Sequence, residues 1–210
     1  MKNIIDEIVV EVLDKLKKEG LIEVEASGRH VHLSREDMES LFGSNYKLTR
    51  AKDLSQPGQY ACEERVTITG PRGSIENVVI LGPCRQDTQV EVSLTDLKSL
   101  GLKAPVRQSG DLEGSTGLKI SAADREITVE RGLIIAKRHV HITPEDAVKF
   151  GVYDNEIVNM KVFGDRPVVF EDVVVRVNAN YRTYMHIDYD EANACGFKKG
   201  TIARIRKHNL

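Results

Sequence analysis

Four times in this 210-residue chain, a run of strand-forming residues reaches a histidine or a glutamate and passes within a few positions into a short capped helix closed by glycine. Ser34 opens one such helix, which closes at Gly43, and Thr95 opens another, which closes at Gly101. Thr143 opens a third, with proline at its first helical position and Gly151 at its end, and Asp190 opens a fourth, closed by Gly196. Ser, Thr and Asp accept hydrogen bonds from the free N–H groups of a first helical turn, and glycine adopts the left-handed conformation that ends a helix. Counting back four residues from each cap gives His30, Glu91, His139 and His186.

Between these corners the text is strand and turn. RVTIT before GPRG, SIENVVIL before GPC, REITVERGLIIA, EIVNMKV before FGDRP and EDVVVRV before NAN are rich in Val, Ile and Thr and are bounded by turn residues. They predict a mainly β protein with short α-helices, built as small barrels or sandwiches. The segment Arg107–Gly117 is polar and glycine-rich and reads as a surface loop between two strand-rich parts. Residues 1–20 differ: Ile4, Ile5, Ile8, Val9, Val12, Leu13 and Leu16 fall at helical spacing among acids and lysines, an amphipathic helix that ends near Gly20. It packs on its own body or is a detachable docking helix for a partner's groove.

Two of the corners carry a second histidine. RHVHL at Arg29 and RHVHI at Arg138 hold four of the six histidines. A strand alternates faces, so the imidazoles of His30 and His32, and of His139 and His141, point the same way, roughly 6.5–7 Å apart. With Glu91 and His186 they make six potential ligands, leaving only His208 in the basic tail. Imidazole nitrogen and carboxylate oxygen suit zinc, and three protein ligands per ion leave a position open for water or substrate, as at a catalytic site. The plain alternative is strand histidines on a polar face; a duplicated His-x-His with Glu and His at equivalent points weighs against it. A double cupin barrel is a rival, but Glu36 falls in helix-capping text, no glycine lies six residues before His30, and no histidine follows the first copy until His139. Binuclear amidohydrolases share the His-x-His motif on a barrel that needs roughly 250 residues.

Arg85 follows a Gly-Pro turn and precedes Glu91 by six positions, a place from which a guanidinium can hold phosphate by paired hydrogen bonds. Cys84 beside it is a candidate thiolate, since a neighbouring cation lowers a thiol pKa, though no histidine is left to pair with it. A formal net charge of −2 with scattered basic residues and no aromatic platform argues against nucleic acid. No apolar run is long enough to span a bilayer, and the acid-bearing N-terminus is not a secretory signal. Three widely separated cysteines read as reduced thiols of a cytoplasmic protein. There is no P-loop, GxGxxG, GxSxG or CxxC.

At RHVHLSREDM, GPCRQDTQVEVSLTD, RHVHITPEDA and MHIDYDEAN the chain resembles the PduL family of phosphate propanoyltransferases, the phosphotransacylases associated with bacterial microcompartments. The likeness runs from about Ile22 to the C-terminus. It implies two small β-barrels capped by short helices: residues 21–28 with 137–210 in one, 29–136 in the other, and residues 1–20 outside both. It implies a two-zinc site, with Glu91, His139 and His141 on one ion and His30, His32 and His186 on the other. It further implies that Arg85 contacts phosphate and that Ser27, Lys52 and Asn193 touch coenzyme A. The implied reaction interconverts acyl-CoA (propanoyl-CoA or acetyl-CoA) plus phosphate with acyl phosphate plus CoA. A homodimer is the family expectation. The N-terminal helix resembles the encapsulation peptides that draw enzymes into a microcompartment shell. A zinc hydrolase and a non-catalytic metal-binding barrel protein stand as alternatives on the residues alone.

Overall fold

The computed structural model describes residues 4, 5, 7, 8, 11, 12, 15 and 20–206. Most of the helix expected over residues 1–20, and His208, lie outside the described residues. The chain divides into two compact units, one formed by the N-terminal segment through Ser27 with Arg138 onward, the other by Gly28–Lys137. Among the described residues, no helix is long and apolar enough to cross a membrane.

Each unit is a closed six-stranded β-barrel. In the Gly28–Lys137 unit the strands are β2 (His30–His32), β4 (Tyr60–Gly70), β5 (Gly73–Gly82), β6 (Gln89–Glu91), β8 (Thr116–Ala122) and β9 (Arg125–Ala136). The ring runs β2–β5–β4–β8–β9–β6 and returns to β2, with β3 (Arg50–Asp53) added to β4 and β7 (Val106–Arg107) added to β9. The other barrel joins β1 (Leu21–Ala26), β13 (Tyr184–Ile187), β10 (His139–Ile142), β12 (Val168–Val177), β11 (Ile157–Val162) and β14 (Ile202–Arg206) in that cyclic order.

The two rings have one topology. β2 pairs parallel with β5 and antiparallel with β6; β10 pairs parallel with β12 and antiparallel with β13. The parallel partner of β6 is β9, and that of β13 is β1. The closing strand of each barrel therefore leads directly into the His-x-His strand of the other: β1 ends at Ala26 before His30, and β9 ends at Ala136 before His139. The fold is an internal duplication, which is why the motif is written twice.

The pleat explains what the strands do with their side chains. Val31 and Val140 are fully buried in the two cores, beside Ile80, Val90, Ile120 and Leu133 in one and Ile142, Val158, Met160, Val175 and Met185 in the other. Alternation turns the flanking histidines to the opposite face, the outside of each ring. Apolar interiors thus fix the register that aims the imidazoles, since a one-residue slip would put histidine into the core.

Four helices sit at the corners: α1 (Arg35–Phe42), α2 (Leu94–Leu100), α3 (Pro144–Phe150) and α4 (Tyr189–Cys195). Their N-caps are Ser34, Ser93, Thr143 and Asp188. The caps expected at Thr95 and Asp190 are corrected by two residues. Ser93 and Asp188 form full capping boxes with Asp96 and Glu191, and that reciprocal pair of hydrogen bonds starts the helix earlier. The corrected caps give a simpler rule, in which each follows the last potential ligand of its strand by two: His32, Glu91, His141 and His186.

The arginines of both RHVH motifs are structural. Arg29 donates to Asp96 at 2.9 Å, and Arg138 Nη1 lies 2.7 Å from Glu191 Oε1. Each ties the start of a His-x-His strand to the capping box of the helix that follows the facing strand. A second duplicated tie runs from Thr88 to Asp37 and from Thr183 to Asp146, anchoring α1 and α3 to β6 and β13. Gly132 combines a close backbone approach with a positive φ. Gly132 in β9 has φ +125°, and an added Cβ would stand 2.4 Å from the Thr88 carbonyl oxygen, where β9 passes β6. Gly132→Ala is expected to lower stability by about 2 kcal/mol or more, from the unfavourable φ and the backbone clash together, read as a reduced midpoint in chemical denaturation.

Candidate metal centres and anion site

Antiparallel pairing sets the first cluster. The β2–β6 register places His30 opposite Glu91, and His32 follows two residues along the same face. The potential donor atoms of His30, His32 and Glu91 all lie within 4.8 Å of one another. The equivalent register in the other barrel places His139 opposite His186. His139, His141 and His186 form the second group by the same distance, with ring centroids 4.6, 4.8 and 5.1 Å apart. The six residues singled out in the sequence therefore stand as two sets of three. The division differs from the allotment the resemblance implied, because the cross-strand partner of His30 is Glu91 and that of His139 is His186.

The first cluster has the features of a cation site. His30 Nδ1 is 2.8 Å from the Gly28 carbonyl oxygen, and His32 Nδ1 is 3.2 Å from that of Leu81. A carbonyl only accepts, so each Nδ1 carries a proton, and Nε2 is the ring nitrogen with which each neutral imidazole would ligate an ion. This outer hydrogen bond is the usual companion of a metal-ligating imidazole. Burial, with His30 and Arg85 adding to it, pushes the His32 pKa down to about 3, so this ring is neutral and ready to ligate near neutrality. Burial also opposes the charged form of His30, but the adjacent Glu91 carboxylate outweighs it and raises the pKa. Burial acts upward on Glu91 as well; the His30 charge and hydrogen bond prevail and hold the carboxyl well below the usual range. His30 Nε2 lies 3.4 Å from Glu91 Oε2, so the two potential ligands face each other directly. In the second cluster, Glu25 on β1 approaches His186 Nδ1 at 3.7 Å, and the Tyr181 ring lies over His141 with centroids 4.1 Å apart. A nitrogen and oxygen donor set of this kind fits zinc.

Arg85 belongs to the first cluster. Its backbone N–H donates to the Leu33 carbonyl at 2.9 Å, fixing the turn after β5 against the end of β2. Its Nη1 donates to Ser109 at 2.9 Å, and Ser109 donates to Glu91 at 3.0 Å. Gln89, two residues before Glu91 on the same face, donates to both Ser109 and Glu91. Sequence reasoning missed Gln89 and Ser109. Strand alternation could have found the first; the second comes from the stretch read as a surface loop, and nothing local marks it.

The remaining candidates fall on different segments of the chain. Ser27 is half-buried at the end of β1, its N–H donating to Ile187, and Asn193 is exposed on α4 of the same unit. Lys52 is exposed on β3 of the other unit. Burial pushes the Cys84 thiol up, and Arg35 and a backbone N–H offset this only in part. The arginine next to it in sequence does not make it a thiolate; Cys84 Sγ sits 3.5 Å from Met38 Sδ.

Fold and site define a mainly β protein of two duplicated barrels, with a basic group joined through hydrogen bonds to one of two three-donor clusters. Residues 23–198 match the family model described as phosphate propanoyltransferase. The chain is 66% identical over 207 residues to the phosphate propanoyltransferase of Clostridioides difficile strain 630, covering 99% of each chain. It is 56% identical to the protein of that name from Listeria monocytogenes, covering 96% of this chain and 97% of the relative. It is 52% identical to that from Thermotoga maritima, covering 94% of both. The chain belongs to the phosphate propanoyltransferase family, and it is an enzyme of the phosphotransacylase type.

Proposed function

We propose that the protein interconverts acyl-CoA plus phosphate with acyl phosphate plus CoA, using propanoyl-CoA or acetyl-CoA, with two zinc ions as cofactors. The observation that carries this reading is the hydrogen-bonded path from Arg85 to Glu91, which sets an anion-binding group beside a three-donor cluster. His30, His32 and Glu91 would hold one ion, and His139, His141 and His186 the other. Bound there, the ions supply Lewis acidity for a thioester carbonyl or a departing thiolate.

The chain's own residues account for the rest. Arg85 binds hydrogen phosphate through its planar pair of donors and presents a phosphate oxygen to the acyl carbon. The C–O bond forms, the C–S bond breaks, and the proton carried by the phosphate ends on the CoA sulfur. Holding both reactants in place removes several kcal/mol from the barrier, up to about 7–11 kcal/mol in ideal intramolecular cases. No protein nucleophile is needed, in keeping with a Cys84 held as its thiol. Ser27, Lys52 and Asn193 are assigned to coenzyme A.

Free thiol released from propanoyl-CoA, followed with and without phosphate, tests the reading. Release that depends on phosphate is expected. Release without phosphate would make the protein a hydrolase, and no release a metal-binding barrel protein. For residues 1–20 we propose docking to a microcompartment shell or its cargo, with the remainder acting as a homodimer. A chain lacking those residues should fold and turn over normally, and loss of folding would assign the segment to the body.

A further inference from the structure

Ser109 occupies a position that the transfer reaction described above does not itself require. It lies in the loop between β7 and β8, 18 residues beyond Glu91 in sequence, yet its hydroxyl stands between Glu91 and Arg85. A hydroxyl has one proton to donate and two lone pairs. All three are used, and the direction of each bond is determined. Arg85 Nη1 can only donate, so Ser109 Oγ accepts at 2.9 Å. The Gln89 amide is oriented by the Gly110 N–H, which donates to its Oε1 at 2.8 Å and so turns Nε2 toward Ser109, also at 2.8 Å. The single hydroxyl proton is left for Glu91 Oε1 at 3.0 Å. Gln89 Nε2 donates to that same oxygen, so Oε1 is held by two donors while Oε2 faces His30.

We propose that Ser109 is a positioning residue: with Gln89 it clamps Glu91 so that one carboxylate oxygen is presented to the cluster, and through the same hydroxyl it fixes the Arg85 guanidinium. The loop then sets the distance between cation and anion sites. This deepens the transfer reading and rests on the roles given there to Arg85 and Glu91. A loop that merely covered the barrel would have no reason to direct three hydrogen bonds through one oxygen.

The test uses the full chain as wild type, Ser109→Ala and Ser109→Thr, with thermal unfolding of each as the check on folding. Zinc affinity of the stripped proteins is measured by competition with a chromophoric chelator, and KM is measured separately for phosphate and for propanoyl-CoA. Ser109→Ala is expected to weaken one zinc equivalent about tenfold, as loss of an outer hydrogen bond to a ligand does. It should also raise the phosphate KM about tenfold, with the propanoyl-CoA KM within about twofold of wild type; the Arg85 contact is charge-assisted and carries that order of binding energy. Ser109→Thr, which keeps the hydroxyl, should recover both. Unchanged zinc affinity in Ser109→Ala overturns the proposal. So does an equal rise in both KM values that Thr fails to rescue, which marks a structural loop residue. Should wild type release no thiol in response to phosphate, the transfer reading falls, and the zinc arm alone decides the role of Ser109.

Discussion

Arg85→Ala is expected to raise the phosphate KM and lower kcat, reducing kcat/KM for phosphate about 100-fold, while the two zinc ions proposed above stay bound. The physical basis is local. Arg85 is the cation joined to the His30–His32–Glu91 cluster, and its side chain contacts Ser109 rather than a ligand directly. On the role proposed for it, removing Arg85 deletes charge-assisted hydrogen bonds to phosphate, worth about 1.5–3 kcal/mol each, and leaves the proposed metal donors in place. Lysine is a poor substitute because a single ammonium lacks the planar fork, so Arg85→Lys should recover only part of the loss. The check is steady-state kinetics with phosphate and propanoyl-CoA varied in turn, beside metal analysis of the same preparation. Full activity in Arg85→Ala would remove the residue from the mechanism.

His32→Ala has the larger expected effect. His32 is buried, its Nδ1 fixed by Leu81 and its ring neutral, so it contributes a preformed nitrogen donor. Without it, the cluster keeps one imidazole and one carboxylate, which already form a pair with each other. The expected result is loss of about one zinc per chain and a fall in kcat on the order of 10³-fold, the scale on which loss of electrostatic stabilisation at a reacting oxygen is felt. His141→Ala makes the same comparison in the second cluster. Circular dichroism and thermal unfolding separate a lost site from a lost fold. Retention of both ions by His32→Ala would exclude that residue as a ligand.

Much of the fold was legible in local text, because local physics decides it. Alternating Val and Ile give strands with one buried face, and Val31 and Val140 between paired histidines show why HVH must turn its imidazoles away from a core. Closing glycines were legible as well, since Gly101, Gly151 and Gly196 adopt left-handed conformations. The start of α2 was misplaced because Ser93 and Thr95 are both plausible caps; the deciding signal was the acid three residues after Ser93. The same spacing from Asp188 to Glu191 decides α4. Partnership between ligands was not legible. That His30 faces Glu91, and His139 faces His186, depends on which strands pair and in what register, a long-range property that no short window carries. Ser109 was hidden for the same reason, a loop residue whose role exists only where the loop lands.

The central claim is that six side chains from four strands hold two catalytic cations. The most direct measurement is the metal content of the purified full chain, together with thiol release from propanoyl-CoA before and after exhaustive chelation. The account predicts two divalent ions per chain, loss of phosphate-dependent release on stripping, and recovery on adding zinc. A chain that purifies without stoichiometric metal, or one that turns over undiminished after complete chelation, would contradict it.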